Sequence, residues 1–239
     1  MNTALILAGG IGQRVGGEIP KQFLRIKDIP VMAYTLNAFQ NNPDIDRIAV
    51  VCVDGWSNEV LSYRERFGIS KLDRVIPGGK NSMQSISNGV FGLDLADDDI
   101  VIVHDAVRPL ITQDIISDCI SKCREYGNGC ASIQLQETIV RTKDRISGNV
   151  NIDRSEVMRV QTPQAYRYGD IHDLYSRAKE AGITDSVYVN TLMMELGGTI
   201  YFSKGSTFNI KITTPEDLGL FEIFLDHGVV PMPGPERSS

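Results

Sequence analysis

Residues 3–23 read TALILAGGIGQRVGGEIPKQF, an apolar run that passes straight into a glycine-rich turn and then to one arginine and one lysine. Residues 3–8 are continuously apolar and too short for a helix, the pattern of a strand covered on both faces of a parallel sheet. Beyond Ala8, the residues Gly9, Gly10 and Gly12 permit tight backbone geometry and leave amide N–H groups free to face an anion. Arg14 and Lys21 supply the positive charge that a polyphosphate requires. No Lys-Ser or Lys-Thr follows the glycines, so this is not a GxxxxGK[ST] loop, and Val15 breaks the GxGxxG dinucleotide pattern. A glycine-rich strand-to-helix turn without a ligand is the competing reading of this segment taken alone.

Working outward, further apolar runs at 47–53 and 99–103 read as strands, and IAVVCV alternates poorly, as expected when both sheet faces are covered. Helical patterns lie at 30–40, 57–67, 82–95 and 112–126, the last with Thr112 as cap and Asp114 in its first turn. Strands alternating with helices predict an α/β fold with a mostly parallel central sheet. One domain is expected over 1–227. The stretch from about 137 to 160 reads differently, as a projecting β-arm that turns at Gly148 and Asn149. Ile139, Val140, Ile146 and Val150 would expose apolar surface there, which predicts a homodimer formed through the arm. Residues 228–239, rich in proline and glycine, are expected to form a flexible tail.

Composition narrows the function. With 24 Lys and Arg against 30 Asp and Glu, a net charge of −6 argues against a general nucleic-acid binder. It leaves room for a local positive pocket. No stretch is apolar enough to predict a membrane span, and the expected location is cytoplasmic. Cys52, Cys119, Cys123 and Cys130 form no CxxC pair and read as reduced thiols. Three histidines make a histidine-rich zinc site a poor reading.

Two further segments carry chemistry. In DDDIVIVHDAVRP (97–109), Asp105 falls at the carboxyl end of a parallel strand, where open α/β sheets bind ligands. A lone carboxylate there suits Mg2+, whose remaining ligands are phosphate oxygens and water. His104 and Arg108 have an alternative reading as groups that only orient the loop around Asp105. In FNIKITTPEDL (208–218), Asn209, Lys211 and Thr213 alternate on one face of an expected strand. Lys211 could then reach the same phosphates, or be a surface lysine on an edge. Thr214 and Pro215 read as the start of the last helix.

Taken together, these segments resemble the cytidylyltransferases that activate sugar-alcohol phosphates. LAGGIGQRVGGEIPKQF, GGKNSMQSISNG, VHDAVRP, IDRSEVMRVQTPQAY, ITD and GSTFNIKITTPEDL follow in the family's order over roughly residues 2–224. The resemblance implies a three-layer Rossmann-like nucleotidyltransferase fold, CTP as co-substrate and Mg2+ as cofactor. It implies that Arg14, Lys21 and Lys211 stabilise the triphosphate, that Asp105 holds the metal, and that Ala8, Gly9, Gly10, Gly12, Gly79 and Ser85 surround the nucleotide. Asp105, Arg108, Arg154, Thr162 and Asp185 would meet the acceptor, with the arm reaching the second subunit's site. Two departures stand out. Ser82 occupies a position where the family usually has arginine, a charge Lys80 could replace. Asp185 stands ten residues before Glu195 rather than seven, as if after a short insertion. LAGG, PKQF, HDAVRP and Trp56 lean toward the family's ribitol-5-phosphate branch, with its methylerythritol-phosphate branch as the alternative. A catalytically reduced nucleotide-binding regulator is the reading from another class, favoured by Ser82 alone.

Overall fold

The computed structural model of the chain describes residues 1–10 and 19–234. The opening apolar run is β1 (Asn2–Ala8). Its side chains alternate between two cores: Ala4, Ile6 and Ala8 enter one, and Leu5 enters the other. A strand with both faces covered has no solvent side to be polar, so its sequence shows no alternation.

From Lys21 to Phe23 the chain makes one 3-10 turn, followed by the small hairpin of β2 (Arg25–Ile26) and β3 (Ile29–Pro30). Next come α1 (Val31–Gln40), β4 (Arg47–Cys52), α2 (Ser57–Arg66), β5 (Leu72–Pro77) and α3 (Ser82–Phe91). These are followed by β6 (Ile100–Asp105), α4 (Gln113–Tyr126), β7 (Asn128–Gln134), β8 (Ile139–Arg141), β9 (Val150–Ile152) and β10 (Met158–Arg167). The chain ends with α5 (Tyr168–Glu180), α6 (Val189–Glu195), β11 (Phe202–Lys204) and α7 (Pro215–Asp226).

Among the described residues one sheet dominates, in the order β11-β7-β10-β6-β1-β4-β5. All its pairings are parallel except those of β10, which runs antiparallel to both neighbours. Buried residues of α1 and α4 cover one face, and those of α3, α5 and α6 cover the other. The result is the three-layer, Rossmann-like α/β architecture expected from the alternating elements. No helix among the described residues is long and apolar enough to cross a membrane. All four cysteines are buried free thiols, and burial raises their pKa values.

Several boundaries differ from the sequence reading. The helix expected over 82–95 stops at Phe91, because the chain turns at Gly92 and Leu93 donates back to Val90. The arm narrows to the β8–β9 hairpin, since Met158–Val160 already pair with β7 inside the main sheet. Asp144 folds the hairpin tip by accepting the N–H groups of Ile146 and Ser147, each at 2.9 Å. Ile146 at that tip is 91% exposed.

The strand expected at 209–213 does not form. Its carbonyls are taken by side chains instead: Arg108 Nη1 donates to Asn209 O at 2.8 Å, and Lys21 Nζ to Ile212 O at 2.9 Å. Ile212 is buried in a third core with Val31, Tyr34, Val107, Phe221 and Val230. Val230 belongs to that core, so the segment up to 234 packs on the domain rather than leaving it at 228. Residues 235–239 lie outside the described part. α7 begins as its sequence predicted. Thr214 is the cap, Pro215 opens the helix, and Asp217 accepts the N–H groups of Thr213 and Thr214 at 2.7 and 2.9 Å.

Candidate active site

Parallel pairing fixes where chemistry can occur. β1 sits between β4 and β6, with Leu7 opposite Asp105 and Ala8 opposite Cys52, while Cys52 lies opposite Pro77 on β5. The carboxyl ends of four strands therefore share one edge, and the loops leaving them meet there.

At one side of that edge, Gly79 N–H donates to Ser85 Oγ at 2.9 Å, and Ser85 sits in the first turns of α3. Asn81 caps that helix by accepting from Gln84 N–H at 2.8 Å. Gly9 packs so closely here that a Cβ would lie 2.9 Å from Ser85 Oγ. Glycine is needed at both loops for space. At Gly79 a Cβ would stand 2.4 Å from Gln84 Cγ and 2.8 Å from that residue's backbone carbon. Gly79→Ala is expected to push the loop off α3, costing about 1–3 kcal/mol of stability. It should raise the nucleotide KM together with the loss in thermal midpoint, and an unchanged KM would show that this loop is not part of the site.

On the other side stands Asp105, which is buried. Its Oδ2 accepts from Arg108 Nε at 2.9 Å and its Oδ1 from Lys211 Nζ at 3.1 Å. Its backbone N–H donates to Thr162 Oγ1 at 3.2 Å. Burial alone would raise the Asp105 pKa, but Lys211 and then Arg108 hold it below the ordinary value. His104 is wholly buried, with Nε2 3.3 Å from the Arg108 carbonyl oxygen. Burial lowers its pKa to about 3 against the opposing charge of Asp105, so the ring is neutral. His104 thus braces the turn that presents Arg108 and makes no hydrogen bond to Asp105 itself.

Lys21 joins this group through the segment 211–213, since the carbonyl that its amine holds belongs to Ile212, next to Lys211. Arg154 lies on a 3-10 turn after the arm, donates to Gln136 O, and is not brought to Asp105 within one chain. Asp185 is on an exposed loop, tied toward the α3 cap by Asn81 Nδ2 donating to Thr184 O at 3.1 Å. Arg14 and Gly12 fall outside the described residues.

Three buried amides received no functional role in the sequence reading. Gln22 Nε2 donates to Ala8 O at 2.7 Å and to Gly10 O at 3.0 Å. Gln161 Nε2 donates to Ser206 O at 2.8 Å, and Asn209 Nδ2 to Thr162 O at 2.7 Å. Asn209 and Gln161 thereby fasten the segment that carries Lys211 onto β10. Their only signal in the sequence was a polar residue inside an otherwise apolar or charged motif.

Among the described residues no three His, Cys, Asp or Glu side chains cluster as a complete metal site. A single carboxylate fits Mg2+ only where phosphate oxygens and water complete the coordination, and both oxygens of Asp105 here accept from Arg108 and Lys211.

The family profile described as "IspD: 2-C-methyl-D-erythritol 4-phosphate cytidylyltransferase" matches residues 2–227. The chain is 45% identical to a ribitol-5-phosphate cytidylyltransferase of Lacticaseibacillus paracasei over 229 residues, covering 94% of this chain and 98% of the relative. It is 35% identical to a 2-C-methyl-D-erythritol 4-phosphate cytidylyltransferase of Clostridium botulinum, covering 94% of this chain and 97% of that one. The crystal structure of Francisella tularensis 2-C-methyl-D-erythritol 4-phosphate cytidylyltransferase superposes with a TM-score of 0.75 at 27% identity, covering 93% and 98% of the two chains.

Proposed function

The chain belongs to the IspD family of cytidylyltransferases, and from that membership we propose that it transfers the cytidylyl group of CTP to D-ribitol 5-phosphate. The products are CDP-ribitol and pyrophosphate. One observation carries the phosphoryl chemistry: Lys21, Arg108, Lys211 and Asp105 gather beside a glycine turn at the carboxyl edge of a parallel sheet. The acceptor rests on the 45% identity to a ribitol-5-phosphate enzyme against 35% to a methylerythritol-phosphate enzyme. Membership of an enzyme family sets aside the regulatory reading, and Ser82 alone does not revive it.

In the proposed reaction a phosphate oxygen of the acceptor attacks the α-phosphorus of CTP. The new P–O bond forms as the bond to the β-phosphate oxygen breaks, and pyrophosphate leaves with that electron pair. The acceptor oxygen is already anionic, so no strong base is needed, and catalysis is positioning with charge stabilisation. Lys21 and Lys211, together with Arg14, neutralise charge growing on the triphosphate. Asp105 would hold Mg2+, which when bound offsets phosphate charge. Gly79 N–H is committed to Ser85, so its carbonyl and the Ser85 hydroxyl proton remain to meet the base. Thr162 and Arg108 line the acceptor side. Arg154 and the apolar arm would act in a homodimer, with Arg154 meeting the acceptor phosphate in the other subunit's site; Asp185 would meet the acceptor's hydroxyls.

Pyrophosphate release with Mg2+ and CTP against ribitol 5-phosphate, methylerythritol 4-phosphate and glycerol phosphates tests the reading. A kcat/KM for ribitol 5-phosphate at least about 100-fold above the others is expected, a ratio that a site pairing buried polar groups with substrate hydroxyls can exceed. A faster reaction with methylerythritol 4-phosphate would overturn the acceptor assignment and leave the reaction class intact.

A further inference from the structure

The one tryptophan of the chain, Trp56, lies in the loop between β4 and α2. Its ring stacks on Phe23 with centroids 4.1 Å apart and planes 15° from parallel. Phe23 closes the 3-10 turn that begins at Lys21. A 3-10 turn has about three residues per revolution, so three consecutive side chains leave it in three directions. Each of the three grips a different element. Lys21 holds the Ile212 carbonyl beside Lys211, Gln22 holds the Ala8 and Gly10 carbonyls, and Phe23 holds Trp56.

The grip of Gln22 has an orienting effect. In a trans peptide the carbonyl and the following N–H point in opposite directions. Holding Ala8 O toward Gln22 therefore turns Gly9 N–H away from it. Val53 N–H also donates to Ala8 O, at 3.2 Å, so the end of β1 and the loop carrying Trp56 are already joined by backbone. The ring stack closes the same loop onto the Lys21 turn a second time.

We propose that Gln22 and the Phe23–Trp56 stack are positioning elements that set the spacing between the backbone of Ala8–Gly10 and Lys21. They would fix CTP affinity without touching substrate. This rests on the reading of the Lys21 turn as part of the CTP site. Both donors of the Gln22 amide are used, and a purely space-filling residue there would need neither.

The test uses the full chain with Mg2+. CTP binding to the wild type is first measured by calorimetry, and Trp56 emission is followed in the same titration without acceptor. Trp56→Ala and Gln22→Leu are expected to raise the KM for CTP about ten- to hundredfold, equivalent to about 1.4–2.8 kcal/mol of lost binding. The acceptor KM should stay within about twofold, and Trp56→Phe should restore most of the CTP affinity because a stacking ring remains. Emission should change on CTP addition alone. If CTP fails to bind the wild type, the site reading itself falls. If CTP binds but emission stays constant and Gln22→Leu keeps its KM, the positioning role is overturned even where Trp56→Ala does not fold. Failure of Trp56→Phe to rescue would also overturn it, since the indole would then act by direct contact.

Discussion

Lys21→Ala is expected to lower kcat by about 10²–10³-fold, the usual loss when one preorganised donor to developing charge is removed. The fall in kcat/KM for CTP should be larger still, because the same amine also meets the triphosphate in the ground state. Folding should change little by comparison. The amine is only part-buried, and the carbonyl it holds, that of Ile212, lies in a segment also anchored by the bond from Ile212 N–H to Val107 O and by the burial of the Ile212 side chain. Lys21→Arg should recover only part of the rate, since a fork of donors does not occupy the place of a compact ammonium. Parallel measurement of turnover and thermal midpoint decides the matter. A loss of folded protein equal to the loss of activity would sink the catalytic role.

Asp105→Asn is the second large expected effect, and it acts on both stability and rate. The carboxylate holds Arg108 and Lys211 at 2.9 and 3.1 Å, and removing its charge strands a buried guanidinium. Breaking a buried pair from one side costs about 3–5 kcal/mol. The Arg108 contact carries most of this, because the Lys211 side chain is 42% exposed and water screens its share. The pH dependence has a definite sign. The folded-state pKa lies below the ordinary 3.8, so the stabilisation is fully present above that value. It is lost as pH falls through the folded pKa. Wild type and Asp105→Asn should therefore differ most near neutrality and converge in acid. Denaturant unfolding at several pH values checks this, and a gap that persists in strong acid would show that the carboxylate charge is not the cause. Turnover should fall by at least about 100-fold, because Lys211 and Arg108 lose their anchor and the expected metal loses its protein ligand.

Much of the fold was legible because its strands are short, apolar and separated by amphipathic helices. β1, β4 and β6 announced themselves as parallel core strands, and Thr214 with Pro215 announced α7. Asp105 stood out for the same reason, as a carboxylate ending a buried strand, and the fold pairs it with Arg108 and Lys211. The segment 209–213 misled because its alternation is a strand pattern. Backbone groups there found side chains rather than a neighbouring strand, and no local rule predicts that.

What the sequence by itself determined is the layered α/β fold and the family. These follow from periodicity, glycine placement and motif order, all local properties of the chain. Only the tertiary structure decided how the pieces meet. Gln22 holds the carbonyls of Ala8 and Gly10, Trp56 lies on Phe23, and Lys211 reaches a carboxylate 106 positions earlier. Those contacts depend on which strands are neighbours in the sheet. That order is set by burying two helical layers at once, a property of the whole chain and of no single segment.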